Sequence, residues 1–240
     1  EWVAFSRSTD RWCQHFVIRH RAKGSKREVY TSHSTWYVSG VGSLTRNPSE
    51  FSEVVRCCQC WSTSCSVDED DAVLEVFQGG RVDAGFIGGA EIDRFGNINS
   101  SYIGDWKKPQ VKLPGSGGAP DIASHSRRLI AIMNHEPRRL VERVHYVTSP
   151  GNLGGTDDRK KSGLTQGGDV VLITDMAVLR SAGSEGELQL ETVHPGHELN
   201  EVIDKTGWNL KAPNDINTTQ PPSPEEIAAL HKIDTNGFWR

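Results

Sequence analysis

Apolar residues form short, near-continuous runs along the later part of the chain. Runs of strand length occupy 82–87, 129–133, 144–147 and 170–174, whereas apolar and polar residues alternate over 188–193. Continuous runs are typical of strands buried on both faces, and alternation is typical of a strand with one face in water. The pattern therefore predicts a sheet of buried strands with an edge strand near the C-terminus.

Helical patterns separate several of these runs. Residues 69–79 have acidic residues in the first turn, apolar residues at helical spacing and a glycine at the end. A second helix is predicted over 199–205 and a third over 224–232, where Ser223 is the N-cap and Pro224 the first helical residue. Helices that alternate with buried strands are typical of the α/β fold class.

The first 66 residues depart from this pattern. They contain all five cysteines and four of the seven tryptophans of the chain but a single leucine, Leu44. Helical periodicity is missing from this segment, and only 35–38 predicts a short strand. Two explanations are open: a divergent surface segment, or a segment read partly in the wrong frame relative to an ancestral gene. We therefore predict an atypical, irregular N-terminal segment over 1–66 and an α/β domain over 67–240.

Residue types that bind metals occur in two places. Four cysteines are crowded between residues 57 and 65, without the second, distant pair that structural zinc sites use. His194 and His197 are separated by a Pro-Gly turn, which cannot place two histidines one helical turn apart. We therefore predict free thiols, a simple turn and no metal site.

The overall charge argues against several classes of partner. The 240 residues have a formal net charge of -4, whereas nucleic acids and anionic membranes require a basic patch. No apolar run approaches the roughly 20 residues of a membrane span, and the N-terminus lacks the apolar core of a signal peptide. Dinucleotide-binding, Walker and serine-hydrolase motifs are also missing. We predict a cytoplasmic protein that binds neither nucleic acid nor membranes.

The strongest candidate for chemistry is the GSGGA turn, residues 115–119, which lies between Pro114 and Pro120. Glycines lack Cβ atoms and so allow the backbone to approach a ligand closely. Neighbouring N–H groups in such a turn form a nest that suits an anion, or the oxyanion that develops during acyl transfer. A purely structural turn is the alternative, because glycine-rich turns occur in all folds.

The order of motifs around this turn resembles the β subunit of family I coenzyme A transferases, of the glutaconate CoA-transferase type. The motifs are GFIGGAEIDRFGNIN at 85–99, IGD at 103–105, GSGGA at 115–119, RLIAIM at 128–133 and YVTSPG at 146–151. The resemblance extends from Leu74 to the C-terminus. It implies an open, mostly parallel α/β sheet with flanking helices, and a separately encoded α subunit as partner.

The resemblance also implies an activity and a set of site residues. In this family a glutamate of the β subunit attacks an acyl-CoA thioester, and coenzyme A moves through covalent intermediates to a second carboxylic acid. Coenzyme A is then a substrate, and no cofactor is implied. The resemblance assigns the oxyanion hole to Gly117 and Gly118. It implies that the substrate-binding residues are Gly88, Gly89, Asn97, Asn99, Gly115, Ser116 and Ala119.

One departure from the family pattern concerns the nucleophile. The spacing to the GSGGA turn places the family glutamate at Val38, and a valine cannot form an acyl anhydride. Three alternatives are open: a transferase with its carboxylate supplied elsewhere, a CoA-thioester hydrolase that uses a carboxylate of the partner subunit, or a degenerate, non-catalytic subunit. Within this chain the candidate catalytic acid is Glu91, for which a structural hydrogen-bonding role is the alternative.

A further candidate lies between Gly151 and Gly168, in a stretch rich in Gly, Asp, Lys and Arg. This stretch is predicted to be a loop. Its basic run, 159–161, could meet the phosphates of a coenzyme A tail, and a solvated loop is the alternative.

Overall fold

The fold is organised around a nine-stranded sheet. The computed structural model describes residues 2–5, 15–18, 37–38, 43–45, 66–67, 78–80 and 82–233. In chain order the strands are β1 (Trp2–Phe5), β2 (His15–Ile18), β3 (Tyr37–Val38), β4 (Ser43–Thr45), β5 (Ser66–Val67), β6 (Ala84–Ile87), β7 (Glu91–Asp93), β8 (Ile98–Asn99), β9 (Tyr102–Asp105), β10 (Lys108–Lys112), β11 (Arg128–Ile132), β12 (Leu140–Val141), β13 (Asp169–Ile173), β14 (Ala177–Ala182), β15 (Glu187–Val193) and β16 (Asn217–Thr218). The helices are α1 (Ala119–His125), α2 (Thr156–Lys161), α3 (Leu199–Asp204) and α4 (Pro224–Ile233).

The sheet is parallel at its centre and antiparallel on both sides. Its strand order is β16-β15-β14-β13-β11-β6-β3-β4-β5. Strands β13, β11, β6 and β3 form the parallel centre, and antiparallel pairs extend it on either side. Strand β16 pairs in parallel with the end of β15. The predicted α/β fold is confirmed, and the sheet is mixed rather than mostly parallel because of these added antiparallel strands.

The chain between β6 and α1 forms two smaller sheets. Strands β7 and β8 pair with each other, and β7 also pairs with β12. Strands β9 and β10 form an antiparallel hairpin. The N–H of Ile98 donates to the carbonyl oxygen of Ser149 at 2.9 Å, which ties β8 to the chain that follows β12. The GSGGA turn therefore follows directly after a compact set of short strands.

Both faces of the parallel centre are buried. Leu129 and Ala131 of β11 belong to one hydrophobic cluster, and Ile130 between them belongs to a second cluster. Strand β13 divides its residues between the same two clusters. Because successive side chains of a strand point to opposite faces, each face needs its own apolar residues. This explains the near-continuous apolar runs at 129–133 and 170–174.

Most predicted strands are confirmed. The apolar runs at 82–87, 129–133 and 170–174 correspond to β6, β11 and β13. The alternating stretch 188–193 lies in β15, and β16 pairs only with the last two residues of that strand. Over most of β15 no described strand pairs with its outer side, where the N–H groups of Leu188 and Leu190 donate to the carbonyl oxygens of Arg94 and Lys211. The short strand predicted at 35–38 contains β3.

The strand predicted at 144–147 is wrong. The chain bends there, and the N–H of His145 donates to the carboxylate of Glu91 at 3.2 Å rather than to a neighbouring strand. Tyr146 and Val147 are exposed. The short strand of this region is β12, a few residues earlier. The apolar residues of this run therefore contribute to the surface and not to a buried sheet.

The two predicted C-terminal helices are confirmed as α3 and α4. At the start of α4, the Oγ atom of Ser223 accepts the N–H of Glu226 at 3.3 Å, and the Glu226 carboxylate accepts the N–H of Ser223 at 2.8 Å. This reciprocal pair is a capping box, which satisfies two N–H groups at the helix start. The helix predicted over 69–79 lies outside the described residues except at its end, where Gln78 is helical.

The loop predicted over 151–168 is wrong because it contains α2. Arg159 in this helix is only 3% exposed, although it lies in the basic run. Its guanidinium makes six hydrogen bonds to backbone carbonyl oxygens. The acceptors belong to Ala123, Ser124, Pro150, Gly151 and Gln166. Arg159 therefore neither faces solvent nor presents its charge to a phosphate, whereas Lys160 and Lys161 are exposed.

Part of the first 66 residues pairs with the main sheet. Strand β3 lies beside β6, and β4 and β5 continue the sheet from β3. The other residues of this segment, apart from β1 and β2, lie outside the described residues, and so do the clustered cysteines. The division into 1–66 and 67–240 stays a prediction.

We expect the fold to lose stability in mild acid because of His135. Its ring is buried and lies 3.0 Å from the hydroxyls of both Thr174 and Thr206, and burial lowers its pKa from 6.5 to about 4. The unfolded chain therefore takes up this proton first, so the stabilisation is complete above pH 6.5 and is lost as the pH falls towards 4. The loss should amount to about 3 kcal/mol.

Urea unfolding of the wild type and of His135→Gln at several pH values between 7.5 and 4 measures this effect. The free energy of unfolding of the variant should fall less steeply with decreasing pH, because glutamine does not take up a proton and the carboxylates are the same in both proteins. Burial also lowers the pKa of His194, which adds to the loss in both proteins. Parallel pH curves for the two proteins would contradict the assignment.

Candidate active site

Three predicted site elements lie towards one edge of the sheet. Val38 ends β3 and pairs with Gly85 in the parallel strand β6, and Gly88 follows the end of β6. Helix α1 leads into the next parallel strand, β11, so it runs back along the sheet. The N–H of Arg127, just after α1, bonds to the carbonyl oxygen of Val82 at the start of β6. The GSGGA turn at the opposite end of α1 therefore lies at the carboxyl edge, where open α/β sheets bind ligands.

Helix α1 packs closely over β6 at a glycine. A Cβ atom at Gly85 would lie 2.2 Å from the Oγ atom of Ser126 and 2.6 Å from the Cγ2 atom of Ile122, both on the α1 side. The Oγ atom of Ser126 donates to the carbonyl oxygen of Ile122 at 2.5 Å. Gly85 thus fixes how near α1, and the turn that precedes it, can approach the sheet.

The GSGGA turn has an open surface and unused donors. Gly115 and Gly117 have φ angles of 106° and 48°, and no atom lies within 4 Å of a Cβ placed at either residue. No described residue accepts a hydrogen bond from the N–H groups of Ser116, Gly117 or Gly118. Gly118 differs from Gly117 because its φ of -83° suits any residue. The turn therefore offers consecutive N–H groups to an acceptor from outside the chain.

The turn is fastened to Ser100, which follows β8. The N–H of Gly115 donates to the carbonyl oxygen of Ser100 at 2.9 Å, and the Oγ atom of Ser100 donates to the carbonyl oxygen of Gly115 at 2.8 Å. The N–H of Ser100 in turn donates to the Oγ1 atom of Thr148 at 2.9 Å. These bonds fix the turn without using the N–H groups that follow Gly115.

Asn97 and Asn99 lie inside the protein. Asn97 accepts the N–H groups of Gly151 and Leu153, each at 3.0 Å, and donates to Asp93. Burial raises the pKa of Asp93, and the hydrogen bonds from Asn97 act in the opposite direction. Asn99 is completely buried. Both amides support neighbouring loops, and substrate contact by these two residues stays a prediction.

Glu91 is also buried, at 2% exposure. Its carboxylate accepts the amide of Asn99 at 2.8 Å and the backbone N–H of His145 at 3.2 Å, and the His145 Nδ1 atom lies 2.8 Å from Oε1. These contacts match the structural role considered for Glu91. A catalytic role for Glu91 stays a prediction.

The two glycines after β6 differ in their surroundings. Gly88 is exposed, whereas a Cβ at Gly89 would lie 2.3 Å from the Cγ2 atom of Ile98. Gly89 therefore allows the chain to pack on β8, and Gly88 is the one of the pair that a ligand can reach. Ala119 begins α1 directly after the turn.

Sequence reasoning missed the residues that support the turn. Ser100 and Thr148 hold it from one side, His145 orders Glu91, and Arg159 binds the far end of α1. The Thr-Ser-Pro-Gly motif was a signal for Thr148, since hydroxyls beside tight turns often bond to backbone groups. Nothing in the basic run distinguishes Arg159 from its neighbours.

Metal-binding and membrane-spanning features are both missing from the described residues. In that part of the chain, no group of three or more His, Cys, Asp and Glu side chains could hold a metal ion. None of its helices has the length and apolar character needed to cross a membrane.

Comparison with known proteins gives consistent matches. The sequence profile of the family described as Coenzyme A transferase matches residues 15–205. The chain is similar to the B subunit of 3-oxoadipate CoA-transferase of Pseudomonas knackmussii, with 40% identity over 157 residues, which cover 65% of this chain and 60% of the relative. It is 37% identical to the B subunit of glutaconate CoA-transferase of Acidaminococcus fermentans over 150 residues, which cover 61% of this chain and 55% of the relative. The chain thus matches less than two thirds of the length of these curated relatives.

A solved structure gives the same result for the fold. The crystal structure of glutaconate coenzyme A-transferase from Acidaminococcus fermentans superposes with a TM-score of 0.70 and 28% identity. The match covers 80% of this chain and 76% of the other. The overall fold is therefore similar to that of this protein.

Proposed function

This chain belongs to the coenzyme A transferase family, and we propose that it is the β subunit of an enzyme that moves coenzyme A between an acyl-CoA thioester and a carboxylic acid. The observation that carries the proposal is the GSGGA turn. Its consecutive N–H groups have no acceptor among the described residues, and the turn lies at the carboxyl edge of the parallel strands. The names of the two curated relatives, both of them B subunits of CoA-transferases, support the same activity.

The turn acts on the thioester carbonyl. When a carboxylate attacks the thioester carbon, the carbonyl oxygen becomes a tetrahedral oxyanion that needs hydrogen-bond donors. We assign these donors to the N–H groups of Gly117 and Gly118. Because the paired bonds between Ser100 and Gly115 hold the turn in advance, the donors need no reorganisation as charge develops.

The attacking carboxylate is proposed to come from a partner. Val38 at the end of β3 cannot supply it, and the carboxylate of Glu91 is buried and already accepts three hydrogen-bonding groups. We propose a separately encoded α subunit as the source, and CoA-esters and carboxylic acids as substrates without a further cofactor. A cytoplasmic location stays a prediction.

Valine in place of the family glutamate at position 38 also favours a second candidate function. If water rather than a second carboxylic acid completes the reaction, the assembled protein is a CoA-thioester hydrolase that uses the same turn. The two reactions differ in their products, since a transferase conserves the thioester and a hydrolase releases free coenzyme A.

Co-expression with the α subunit from the same genome tests both candidates. The complex should exchange coenzyme A between an acyl-CoA and an added carboxylic acid, whereas a hydrolase should release free coenzyme A without any acceptor. A complex that does neither would indicate a degenerate subunit and overturn the proposal.

We expect Val38→Glu to place a nucleophile at the carboxyl edge. This variant should raise the rate of coenzyme A exchange by at least about 10-fold. A glutamate at position 38 adds a covalent route that is faster than attack by a carboxylate of the partner. Hydroxylamine should then displace coenzyme A from the glutamyl thioester at position 38 and leave a hydroxamate on this chain, and borohydride should reduce the same thioester to an alcohol with release of coenzyme A. Val38→Gln is the matched control, because it has the same shape but cannot form an anhydride. Equal activity of the two variants would show that position 38 does not reach the substrate.

A further inference from the structure

The hairpin of β9 and β10 leaves apolar residues in water. All five residues of β10 are exposed, and Trp106 at the tip is 70% exposed. Val111 in β10 is 49% exposed. The hairpin forms a two-stranded sheet of its own, with no third strand among the described residues. Two-stranded sheets give little stability of their own in water, and the described residues leave these apolar side chains exposed.

A neighbouring segment adds to the same surface. Tyr146 and Val147 are exposed, and the Tyr146 ring lies 5.1 Å from the ring of Tyr102 at the base of the hairpin. In the described part of the chain, four of the five exposed large apolar side chains lie on these two segments, and the fifth is Ile227 on α4. We call Trp106, Val111, Tyr146 and Val147 the hairpin surface. Such concentration of exposed apolar groups is typical of an interaction site.

The charge of this surface differs from that of the chain. Lys107, Lys108 and Lys112 lie on the hairpin and are exposed, with Asp105 as the acidic residue among them. The whole chain has a net charge of -4. A partner that covers the hairpin surface should therefore present apolar side chains surrounded by carboxylates.

The hairpin leads directly into the candidate site. The N–H of Leu113 donates to the carbonyl oxygen of Ser101 at 3.0 Å, and the bonds between Ser100 and Gly115 follow immediately. A protein seated on the hairpin surface would therefore lie beside the GSGGA turn. This is the place from which a partner must deliver a carboxylate, given valine at position 38.

We infer that the hairpin surface is the docking site for the α subunit, an inference that rests on the proposed function. Trp106 is the anchor, since large aromatic side chains dominate the binding energy of protein interfaces. Docking buries the exposed apolar side chains of the hairpin surface, and it brings the partner's carboxylate to the oxyanion donors of the turn.

Titration of variants of this chain with the purified α subunit tests the inference. Trp106→Ala and Val111→Glu should each raise Kd by at least about 30-fold, because the first removes the anchor and the second places a carboxylate against the acidic partner. The matched control is Ile227→Glu, which adds the same charge at another exposed apolar residue, on α4, and should change Kd by less than about 3-fold. Circular dichroism should confirm that all variants remain folded. Complex formation should also shift the tryptophan emission of the wild type to shorter wavelength, and Trp106→Phe should reduce that shift.

The outcomes separate docking from catalysis. If Trp106→Ala and Val111→Glu bind the α subunit like the wild type, the docking inference is overturned, while CoA exchange by the complex would still support the proposed function. If these variants lose binding but the wild-type complex neither exchanges nor hydrolyses CoA-esters, docking stands and the proposed function falls. If they instead dissociate a dimer of this chain while their affinity for the α subunit is unchanged, the surface belongs to a second copy and the inference is wrong. Failure of the wild type to bind the α subunit would overturn both.

Discussion

Gly117→Val is expected to lower kcat of the assembled enzyme by about 100- to 1,000-fold, the cost of losing an oxyanion donor. Gly117 has a φ of 48°, in the left-handed region that β-branched residues avoid. No atom lies within 4 Å of the added Cβ, so the substitution shifts the backbone without a steric clash. The N–H groups of the turn should then point away from the thioester oxygen.

The kinetic pattern distinguishes this effect from a loss of binding. Because the oxyanion develops mainly in the transition state, kcat and kcat/KM should fall together while CoA-ester binding changes little. Gly196→Val is the matched control, since Gly196 has a φ of 91° and an equally open surrounding but lies after β15. Both variants should lose about 1–2 kcal/mol of stability from the left-handed conformation. Normal turnover in a folded, partner-bound Gly117→Val protein would show that the turn is only structural.

Arg159→Met is expected to destabilise the fold by about 4 kcal/mol, because several buried carbonyl oxygens lose their donor at once. The guanidinium binds Ala123 and Ser124 at the end of α1, Pro150 and Gly151 in the turn that follows Thr148, and the chain before β13 at Gln166. Burial lowers the pKa of Arg159, yet guanidinium remains charged at neutral pH. A flexible apolar side chain fills similar space without replacing any of these bonds.

Denaturant unfolding of the isolated chain measures this loss. Lys160→Met is the matched control, since Lys160 is the exposed neighbour on α2 and should change stability by less than about 0.5 kcal/mol. Arg159→Lys should fall between the two, because one ammonium group can reach only part of the acceptors. Equal stability of Arg159→Met and Lys160→Met would contradict the assigned role.

The apolar pattern predicted the centre of the sheet but not its surroundings. Runs such as 129–133 were informative because both faces of β11 are covered after its first residue, so Leu129, Ile130 and Ala131 are all buried. The run at 144–147 has the same appearance, yet it bends around the carboxylate of Glu91 and exposes Tyr146. Apolarity alone cannot distinguish burial inside a sheet from an apolar surface.

Long-range hydrogen bonds are the second feature of the structure that the sequence did not predict. The glycine spacing located the GSGGA turn. The φ angles of Gly117 and Gly118 have opposite signs, however, and these depend on how the turn enters α1. Arg159 resembled the solvent-facing residues of a basic run because its acceptors are carbonyl oxygens, which every residue has and no side-chain pattern reveals. The role of Arg159 could therefore be found only in the three-dimensional structure.

Because hydrogen bonds close the β9–β10 hairpin at its base, the hairpin is a structural unit that can be replaced. The chain leaves at Ser101 and returns at Leu113, where a backbone hydrogen bond closes the loop, and Ser100 and Gly115 close it a second time. We therefore expect a hairpin of different length or sequence, placed between these residues, to leave the GSGGA turn in position.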